Sequence, residues 1–303
     1  MSVKLNKIST EARNPNTMDL DLLSTVDILK KINNEDKSVP ISVESAITQI
    51  ALLVDNLVNV FENGGRLIYI GAGTSGRLGV LDASECPPTY GVDKNMVIGL
   101  IAGGSDALVN AIEGAEDSKE LAKEDLKNIN LTKNDFVVGI AASGRTPYVI
   151  GGIEYAKEIG ALTGCITTSK DSVLASIVDF PIEAVTGAEP LTGSTRMKSG
   201  TAQKLICNMI TTASMVKLGK VYENLMVDLK ATNEKLVARS LSIICSVTNY
   251  STDEAREKLV KYQSIKGVIL SYITEIDDVD MIKKLLKDNK NNIRIALSKV
   301  KEG

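Results

Sequence analysis

The sequence predicts an α/β protein built on a doubly wound, five-stranded parallel sheet, with N-terminal helices and a small C-terminal all-helical domain. Five short apolar runs are continuous rather than alternating, which is typical of parallel strands that are buried on both faces. Helical patterns separate these runs, and strand–helix alternation is typical of a parallel sheet. The predicted strands are 67–70, 96–101, 136–141, 162–167 and 178–182.

The first elements are helices. Apolar residues including Leu22, Val26 and Leu29 form one stripe of a helix over 19–34, and a second helix is predicted over about 40–64. The helices between the strands and after the last strand are predicted at 75–81, 107–128, 147–159, 171–176 and 197–218.

After about residue 220 the strand patterns end, and five short helices are predicted. These helices are 233–247, 252–262, 265–273, 277–288 and 293–300. The chain is therefore expected to divide into an N-terminal helical segment (1–56), a sheet domain (57–220) and a C-terminal helical domain (221–303).

The composition excludes several kinds of chemistry. The 303 residues include no histidine and no tryptophan. Without histidine there is no Ser-His-Asp or Cys-His arrangement and no imidazole metal ligand, so acid–base catalysis would use Glu, Asp, Lys, Tyr or Cys. A formal charge of -3 and 4% aromatic residues disfavour a nucleic-acid partner.

The pattern of the chain favours a cytoplasmic protein. No stretch of about 20 apolar residues suggests a bilayer span, and the N-terminus lacks the apolar region of a secretory signal. The four cysteines are widely spaced, which is typical of reduced thiols in the cytoplasm.

A glycine-rich loop follows the first predicted strand, where Gly73, Thr74 and Ser75 open a helix. The loop has the G-x-G-x-x-G spacing of dinucleotide sites, but Asp93 lies before the second strand rather than at its carboxyl end, which disfavours NAD. Backbone N–H groups and hydroxyls at a helix N-terminus suit a phosphate. The alternative is a tight turn that needs glycine only for its dihedral angles.

A second loop of the same chemistry follows the third predicted strand and contains Ser143, Gly144 and Thr146 before Pro147. Ligands of open α/β sheets bind outside the carboxyl ends of the strands. Two such loops at one edge favour a single compact phosphate over a dinucleotide, and the P-loop motif is absent.

Two glutamates are candidate acid–base groups. Glu85 precedes Pro87 and Pro88, which are expected to form a rigid turn, and Glu116 follows a glycine that interrupts a helical pattern. Either residue could instead be a solvated charge near a helix end. A third segment, 187–201, is dense in small, hydroxyl and basic residues, and Ser194, Arg196 and Lys198 are its candidate anion ligands.

Together these segments resemble the N-acetylmuramic acid 6-phosphate etherases, which are built on the sugar isomerase (SIS) domain. The matching stretches are 64–90, 113–117, 139–147, 187–204, 224–228 and 231–235. The related glucokinase regulatory proteins share the signature of 187–204, so that segment alone does not separate an enzyme from a sensor.

The resemblance implies cleavage of the D-lactyl ether at carbon 3 of N-acetylmuramic acid 6-phosphate, by a homodimer without metal or cofactor. It implies that Glu85 is the proton donor and Glu116 a second catalytic residue, and that the C-terminal domain is similar to a ubiquitin-associated bundle. Two alternatives are an aldose–ketose isomerase on the same fold and a non-catalytic sugar-phosphate sensor. Release of D-lactate would distinguish the etherase from both.

Overall fold

The computed structural model describes residues 9–229 and 234–302, which fall into two units. The first unit comprises the described residues up to Ser84 together with Lys94–Thr211. The second comprises Glu85–Asp93 and the described residues from Thr212 onward. The N-terminal helices and the sheet thus belong to one unit, whereas the domain boundaries after residues 56 and 220 stay predictions.

Three helices precede the sheet: α1 (Thr25–Asp36), α2 (Val39–Glu44) and α3 (Ile47–Glu62). The single helix predicted over 40–64 is wrong, because the chain tightens at Ala46, whose N–H donates to the Val43 carbonyl at 3.0 Å. Among the described residues no single helix is long and apolar enough to cross a membrane; only the bent combination of 25–44 with 47–62 has that length and composition.

The predicted five-stranded parallel sheet is confirmed. Its strands are β1 (Leu67–Gly71), β2 (Val97–Ile101), β3 (Phe136–Ile140), β4 (Leu162–Thr167) and β5 (Phe180–Glu183). They lie in the order β2-β1-β3-β4-β5 and all four pairings are parallel. The chain leaves β1 toward β2 on one side and leaves β3 toward β4 on the other. The switch point of the sheet is therefore the crevice between β1 and β3.

Helices cover both faces of the sheet, as the doubly wound prediction requires. The helices of this unit after β1 are α4 (Gly73–Tyr90), α5 (Lys119–Asn128), α6 (Pro147–Ile159) and α7 (Lys198–Lys217), of which α4 and α7 continue into the second unit. One face packs against α5 and α6, where Ile70, Leu126 and Ile153 are fully buried in a common core. The other face meets α4: a Cβ atom on Gly79 would lie 2.8 Å from the Cβ atom of Tyr69.

The turn predicted at Pro87 and Pro88 is wrong, because α4 runs through both prolines to Tyr90. The prolines cannot donate to the carbonyls of Ala83 and Ser84 one turn earlier, and the helix ends only two residues after Pro88. Gly91, with φ of +65°, then ends the helix, and its N–H donates to the Pro87 carbonyl at 2.9 Å. Glu85 therefore lies on a helix rather than before a turn.

The helix predicted over 107–128 is also wrong over its first half. Gly114 has φ of +77°, which starts a single 3-10 turn, Ala115–Asp117, instead of continuing a helix. Ser118 then caps α5 by accepting the Leu121 N–H at 3.2 Å. The short helix predicted at 171–176 is a 3-10 turn at Ala175–Ile177.

The second unit confirms the prediction of a helical C-terminal region. After a two-residue hairpin, β6 (Val221–Tyr222) and β7 (Leu225–Met226), its helices are α8 (Glu234–Val247), α9 (Thr252–Tyr262), α10 (Ile265–Thr274), α11 (Val279–Asp288) and α12 (Ile293–Glu302). Ile244, Ile269 and Ile282 are fully buried in their common core. The predicted start of α8 at residue 233 lies outside the described residues.

Candidate active site

A cleft of about 440 Å³ opens at the carboxyl ends of β1 and β3, which is the switch point of the sheet. All of its lining residues belong to the first unit. They are Thr10, Glu11, Ala72, Gly73, Thr74, Ser75, Glu116, Asp117, Ala141, Ala142, Ser143, Arg145, Thr146, Pro147 and Thr195. The two loops that the sequence pairs as phosphate ligands therefore meet in one cleft.

The first loop brings helix α4 unusually close to the end of β1. A Cβ atom on Gly71 would lie 2.7 Å from the backbone nitrogen of Gly76, and a Cβ atom on Gly76 would lie 2.7 Å from the Gly71 carbonyl oxygen. Only glycine fits at both positions. Gly73 has φ of +52° and begins the helix, so that the N-terminus of α4, with Thr74 and Ser75, lines the cleft.

The second loop depends on Gly144, whose φ is +63° and whose Cβ atom would lie 2.5 Å from Ser172 Cβ. Gly144 is buried and shapes the loop, while its neighbours Ser143 and Thr146 line the cleft. Pro147 begins α6, and the Thr146 hydroxyl makes no capping hydrogen bond. The second helix N-terminus therefore also points at the cleft with a free hydroxyl.

Polar groups without partners are concentrated around this cleft. Among the described residues, the hydroxyls of Thr74, Ser143 and Thr146 make no hydrogen bond. Thr10 Oγ1, which is fully buried, and Gln203 Nε2, which belongs to a side chain 1% exposed, also have no partner. Buried polar groups are usually satisfied, so these atoms indicate that a ligand or ordered water completes the site.

The carboxylate of Glu116 has no hydrogen-bonding or ionic partner among the described residues, and neither does that of Glu11. Arg145 is exposed and has no carboxylate at ion-pair distance in the described part of the chain. The 3-10 turn that carries Glu116 is held by Ala115, which packs against the core beneath α6. The charged side chains that line the cleft are thus the carboxylates of Glu11, Glu116 and Asp117 and the cation Arg145, and Glu116 is the carboxylate that the anchored turn holds in place.

The segment 187–201 supplies Thr195 to the cleft rather than the three residues predicted from it. Lys198 is 4% exposed, and its Nζ atom lies 2.9 Å from Glu35 Oε2. Burial alone would raise the pKa of Glu35, but hydrogen bonds from Lys198, Asn16 and Asn14 outweigh burial and lower that pKa. Ser194 and Arg196 do not line the cleft either, and their roles stay predictions.

Helix α7 also has no open N-terminus for a substrate anion. Glu189 is fully buried, and its carboxylate accepts the backbone N–H groups of Lys198 at 2.8 Å and Ser199 at 2.9 Å. A carboxylate at this position fills the anion site that the sequence pattern suggested for a ligand.

The second predicted catalytic residue, Glu85, is exposed on α4 and belongs to the second unit. It does not line the cleft, and its catalytic role stays a prediction that rests on the family resemblance.

The lining residues that sequence reasoning did not assign to the site include Thr10, Glu11, Arg145 and Thr195. Arg145 and Thr195 lie within segments that were already singled out, so the signal for them was adjacency to the predicted ligands. Thr10 and Glu11 lie in a polar, irregular stretch with no periodic pattern. Only the tertiary structure brings that stretch to the cleft, where Glu11 Oε2 lies 3.1 Å from the position a Cβ atom on Gly193 would take.

Comparisons with known proteins agree with this architecture. Residues 49–157 match the N-terminal SIS domain of glucokinase regulatory protein, residues 115–213 match the SIS domain, and residues 223–295 match the C-terminal lid domain of glucokinase regulatory protein. A solved structure of a protein from E. coli CFT073 has a TM-score of 0.50 at 19% identity. It covers 67% of this chain and 97% of that one, which supports the fold.

Two curated relatives are much more similar in sequence. The N-acetylmuramic acid 6-phosphate etherase of Vibrio campbellii is 58% identical over 90% of this chain and 89% of its own length. The N-acetylmuramic acid 6-phosphate etherase of Brucella anthropi is 55% identical over 97% of this chain and 96% of its own length. At these identities and coverages, this chain belongs to the N-acetylmuramic acid 6-phosphate etherase family.

Proposed function

We propose that this protein removes the D-lactyl group from N-acetylmuramic acid 6-phosphate, giving N-acetylglucosamine 6-phosphate and D-lactate in the recycling of cell-wall amino sugars. The observation that carries the proposal is the identity of 58% over 90% of the chain to an etherase of that name. The cleft supports it independently, because unpaired hydroxyls and an unpaired carboxylate lie together at the switch point of the sheet.

The phosphate on carbon 6 would bind where the two loops meet. Thr74, Ser143 and Thr146 offer free hydroxyls, and the N-termini of α4 and α6 offer backbone N–H groups that favour an anion. Gly73 lets the backbone approach the phosphate, and Arg145 adds a cation at the rim.

The Ser75 hydroxyl differs from the other three, because it donates to Gln203 Oε1 at 2.8 Å. Reversing the Gln203 amide would let its unpartnered Nε2 donate to Ser75 Oγ, and the Ser75 hydroxyl would then be free for the phosphate. Gln203 would in that way position a phosphate ligand from the buried side of the cleft.

The reaction proceeds on the open-chain sugar, whose aldehyde makes the proton on carbon 2 acidic. A base removes that proton, the C3–O bond breaks and lactate leaves with the electron pair, assisted by an acid. Water then adds at carbon 3 of the unsaturated aldehyde, and carbon 2 regains a proton. Net consumption is one water for each ether bond cleaved.

In this scheme Glu116 removes the proton from carbon 2 and takes a proton from the water that adds at carbon 3. Its carboxylate lines the cleft and has no partner among the described residues. Glu85 is proposed as the proton donor on the strength of the family resemblance. Because general acid–base assistance is worth about 10²–10⁴-fold per group, either residue changed to glutamine would lower turnover by at least about 100-fold.

The test is an assay of D-lactate released from N-acetylmuramic acid 6-phosphate by the wild type and by Glu116→Gln and Glu85→Gln. Glu120→Gln is the matched control, because Glu120 is exposed at the start of α5 and lines no part of the cleft. If the wild type binds the sugar phosphate but releases no lactate, the proposed enzymatic function is contradicted and a sensor is favoured. Near wild-type turnover in Glu116→Gln would remove Glu116 from the mechanism.

We further propose that the protein is a cytoplasmic homodimer. Val26 and Leu29 on α1 are 59% and 60% exposed, and α1 contains no buried residue. Leu22, which the sequence placed on the same helix, lies in a 3-10 turn just before α1 and is 82% exposed. An amphipathic helix with its apolar stripe uncovered in the protomer is typical of an interface, and a second copy of the chain would cover it. In the described part of the chain none of the four cysteines forms a disulfide bond, which is consistent with a reducing compartment.

A further inference from the structure

A smaller pocket of about 210 Å³ adjoins the cleft. The two share Ala72, Gly73 and Glu116, so Glu116 has the phosphate-binding cleft on one side and this pocket on the other. We call it the side pocket. A substrate whose phosphate lies between the two loops would therefore reach the side pocket past Glu116.

The wall of the side pocket is mainly small and apolar. Ala102, Ala107, Ala111 and Ile112 come from the segment that follows β2. Gly103 has φ of +89°, and a Cβ atom there would lie 3.0 Å from Ile112 Cβ, so the turn presses against Ile112 and holds it at the wall. This surface suits a methyl group rather than a hydroxyl-rich sugar.

One cation, Arg77 from the first turns of α4, lines the same pocket. Its Nε atom donates to the Leu108 carbonyl at 2.9 Å and its Nη2 atom to the Asn110 carbonyl at 3.1 Å. These bonds fix the guanidinium, while its Nη1 group makes no hydrogen bond to the described residues. No carboxylate of the described residues lies within ion-pair distance of it, so its charge is not neutralised.

We propose that the side pocket receives the lactyl group of the substrate, with Arg77 on the lactyl carboxylate and the alanine and isoleucine wall on its methyl group. The proposal rests on the proposed etherase function, of which it names the leaving-group site. It places the C3–O bond beside Glu116, because the phosphate and the lactyl carboxylate then bind on opposite sides of that residue. The acetamido group, which carries no charge, would not be selected by Arg77.

Glu113 also lines the side pocket, and its negative charge opposes a carboxylate there. This makes it a matched control of opposite sign. Removing the charge of Arg77 would weaken binding of the lactyl carboxylate, whereas removing the opposing charge of Glu113 would strengthen it.

The experiment compares Arg77→Gln and Glu113→Gln on two substrates: N-acetylmuramic acid 6-phosphate and its lactamide, in which the carboxylate is an uncharged amide. Loss of a charge-assisted contact predicts that Arg77→Gln raises KM for the acid by about 10- to 100-fold but changes KM for the amide by less than about threefold. Glu113→Gln should lower KM for the acid, and the control Glu120→Gln, at an exposed residue that lines neither pocket, should leave KM for both substrates unchanged. Inhibition by N-acetylglucosamine 6-phosphate, which has no lactyl group, should be the same in all variants.

Equal penalties on acid and amide would overturn the proposal, because Arg77 would then act only by holding the loop at Leu108 and Asn110. Weakened inhibition by N-acetylglucosamine 6-phosphate in Arg77→Gln would also overturn it, since the effect would not be confined to the lactyl group. Arg77→Lys, which keeps the charge, should restore part of the preference for the acid. If the proposed etherase function itself is wrong, the result differs from both of these outcomes, because the wild type then releases neither lactate nor lactamide.

Discussion

At the scale of single residues, Glu189 is the clearest case of a charge used for structure. It is fully buried, and besides the two backbone N–H groups of α7 its carboxylate accepts the Ser199 hydroxyl at 2.7 Å. The N–H groups at a helix N-terminus have no partner within the helix. The Glu189 carboxylate accepts their hydrogen bonds, and its negative charge interacts favourably with the positive end of the helix dipole. The start of helix α7 is therefore stabilised by Glu189, which lies nine residues before Lys198 in the sequence.

We expect Glu189→Gln to lower the free energy of unfolding by about 2–3 kcal/mol, because hydrogen bonds to a charged group are replaced and the new amide N–H₂ faces the helix donors. Unfolding in urea measures the change in the free energy of unfolding. Glu44→Gln is the control, since Glu44 is exposed at the end of α2, and should change stability by less than about 0.5 kcal/mol. A difference between the two variants within experimental error would contradict the structural role of Glu189.

At the scale of elements, the two central strands are tied together just before they begin. Asp135, 2% exposed, accepts hydrogen bonds from Arg66 Nε at 3.0 Å and Arg66 Nη2 at 2.8 Å. Asp135 also accepts the Thr132 N–H at 2.9 Å. Arg66 donates in addition to the carbonyls of Ile129 and Asn130, in the loop before β3. Because Arg66 precedes β1 and Asp135 precedes β3, this cluster aligns the strands whose opposite ends form the cleft.

Burial alone would raise the pKa of Asp135, but the hydrogen bonds and charge of Arg66 and the hydrogen bonds from Thr132 outweigh burial, and the pKa is lowered from its ordinary 3.8. A carboxyl with a lowered pKa in the folded state stabilises the fold above the unfolded pKa, and loses that contribution as the pH falls through the folded pKa. The wild type should therefore lose stability below about pH 4.

Asp135→Asn should cost about 3–5 kcal/mol at neutral pH, because it leaves the Arg66 charge partly buried without a partner. It should also flatten the dependence of stability on pH below about pH 4. Urea titrations at several pH values measure both effects, with Glu154→Gln as control, since the Lys119–Glu154 pair is half exposed. An unchanged acid slope in Asp135→Asn would show that other carboxyls carry the pH dependence.

At the scale of the whole molecule, the proposed dimer would form through the exposed apolar residues of α1. We expect the double variant Val26→Ser/Leu29→Ser to dissociate to monomers, since it removes two large apolar side chains of the stripe without touching the protomer core. Light scattering after size exclusion measures the mass. Val260→Ser, at a residue 66% exposed on α9, is the control and should leave the dimer intact. A monomeric wild type, or a double variant that stays dimeric, would contradict the proposed interface.

The sequence predicted the sheet well and the helices around the site less well. Continuous apolar runs identify β1 to β5 because both faces of the sheet are buried, which the burial of Leu67, Ile68, Tyr69 and Ile70 confirms. The sequence patterns predict the helix bounds wrongly at α4 and at 107–128, for different reasons. Pro87 and Pro88 predict a break, but the helix continues through them for its last turn, whereas Gly114, with φ of +77°, stops a pattern that otherwise continues.

For the candidate site, the sequence by itself singled out three short segments that line the cleft: two loops of glycine and hydroxyl residues after strands, and a glutamate after a glycine. Their meeting follows from strand order, since β1 and β3 are adjacent at the switch point. Only the tertiary structure decided the use of each charge. Lys198 pairs with Glu35, and Glu189 accepts hydrogen bonds from the first N–H groups of α7, because a buried charge without such partners is too costly. Glu11, Glu116, Arg77 and Arg145 have no ionic partner within 9–229 and 234–302 and can therefore meet a charged ligand at the two pockets.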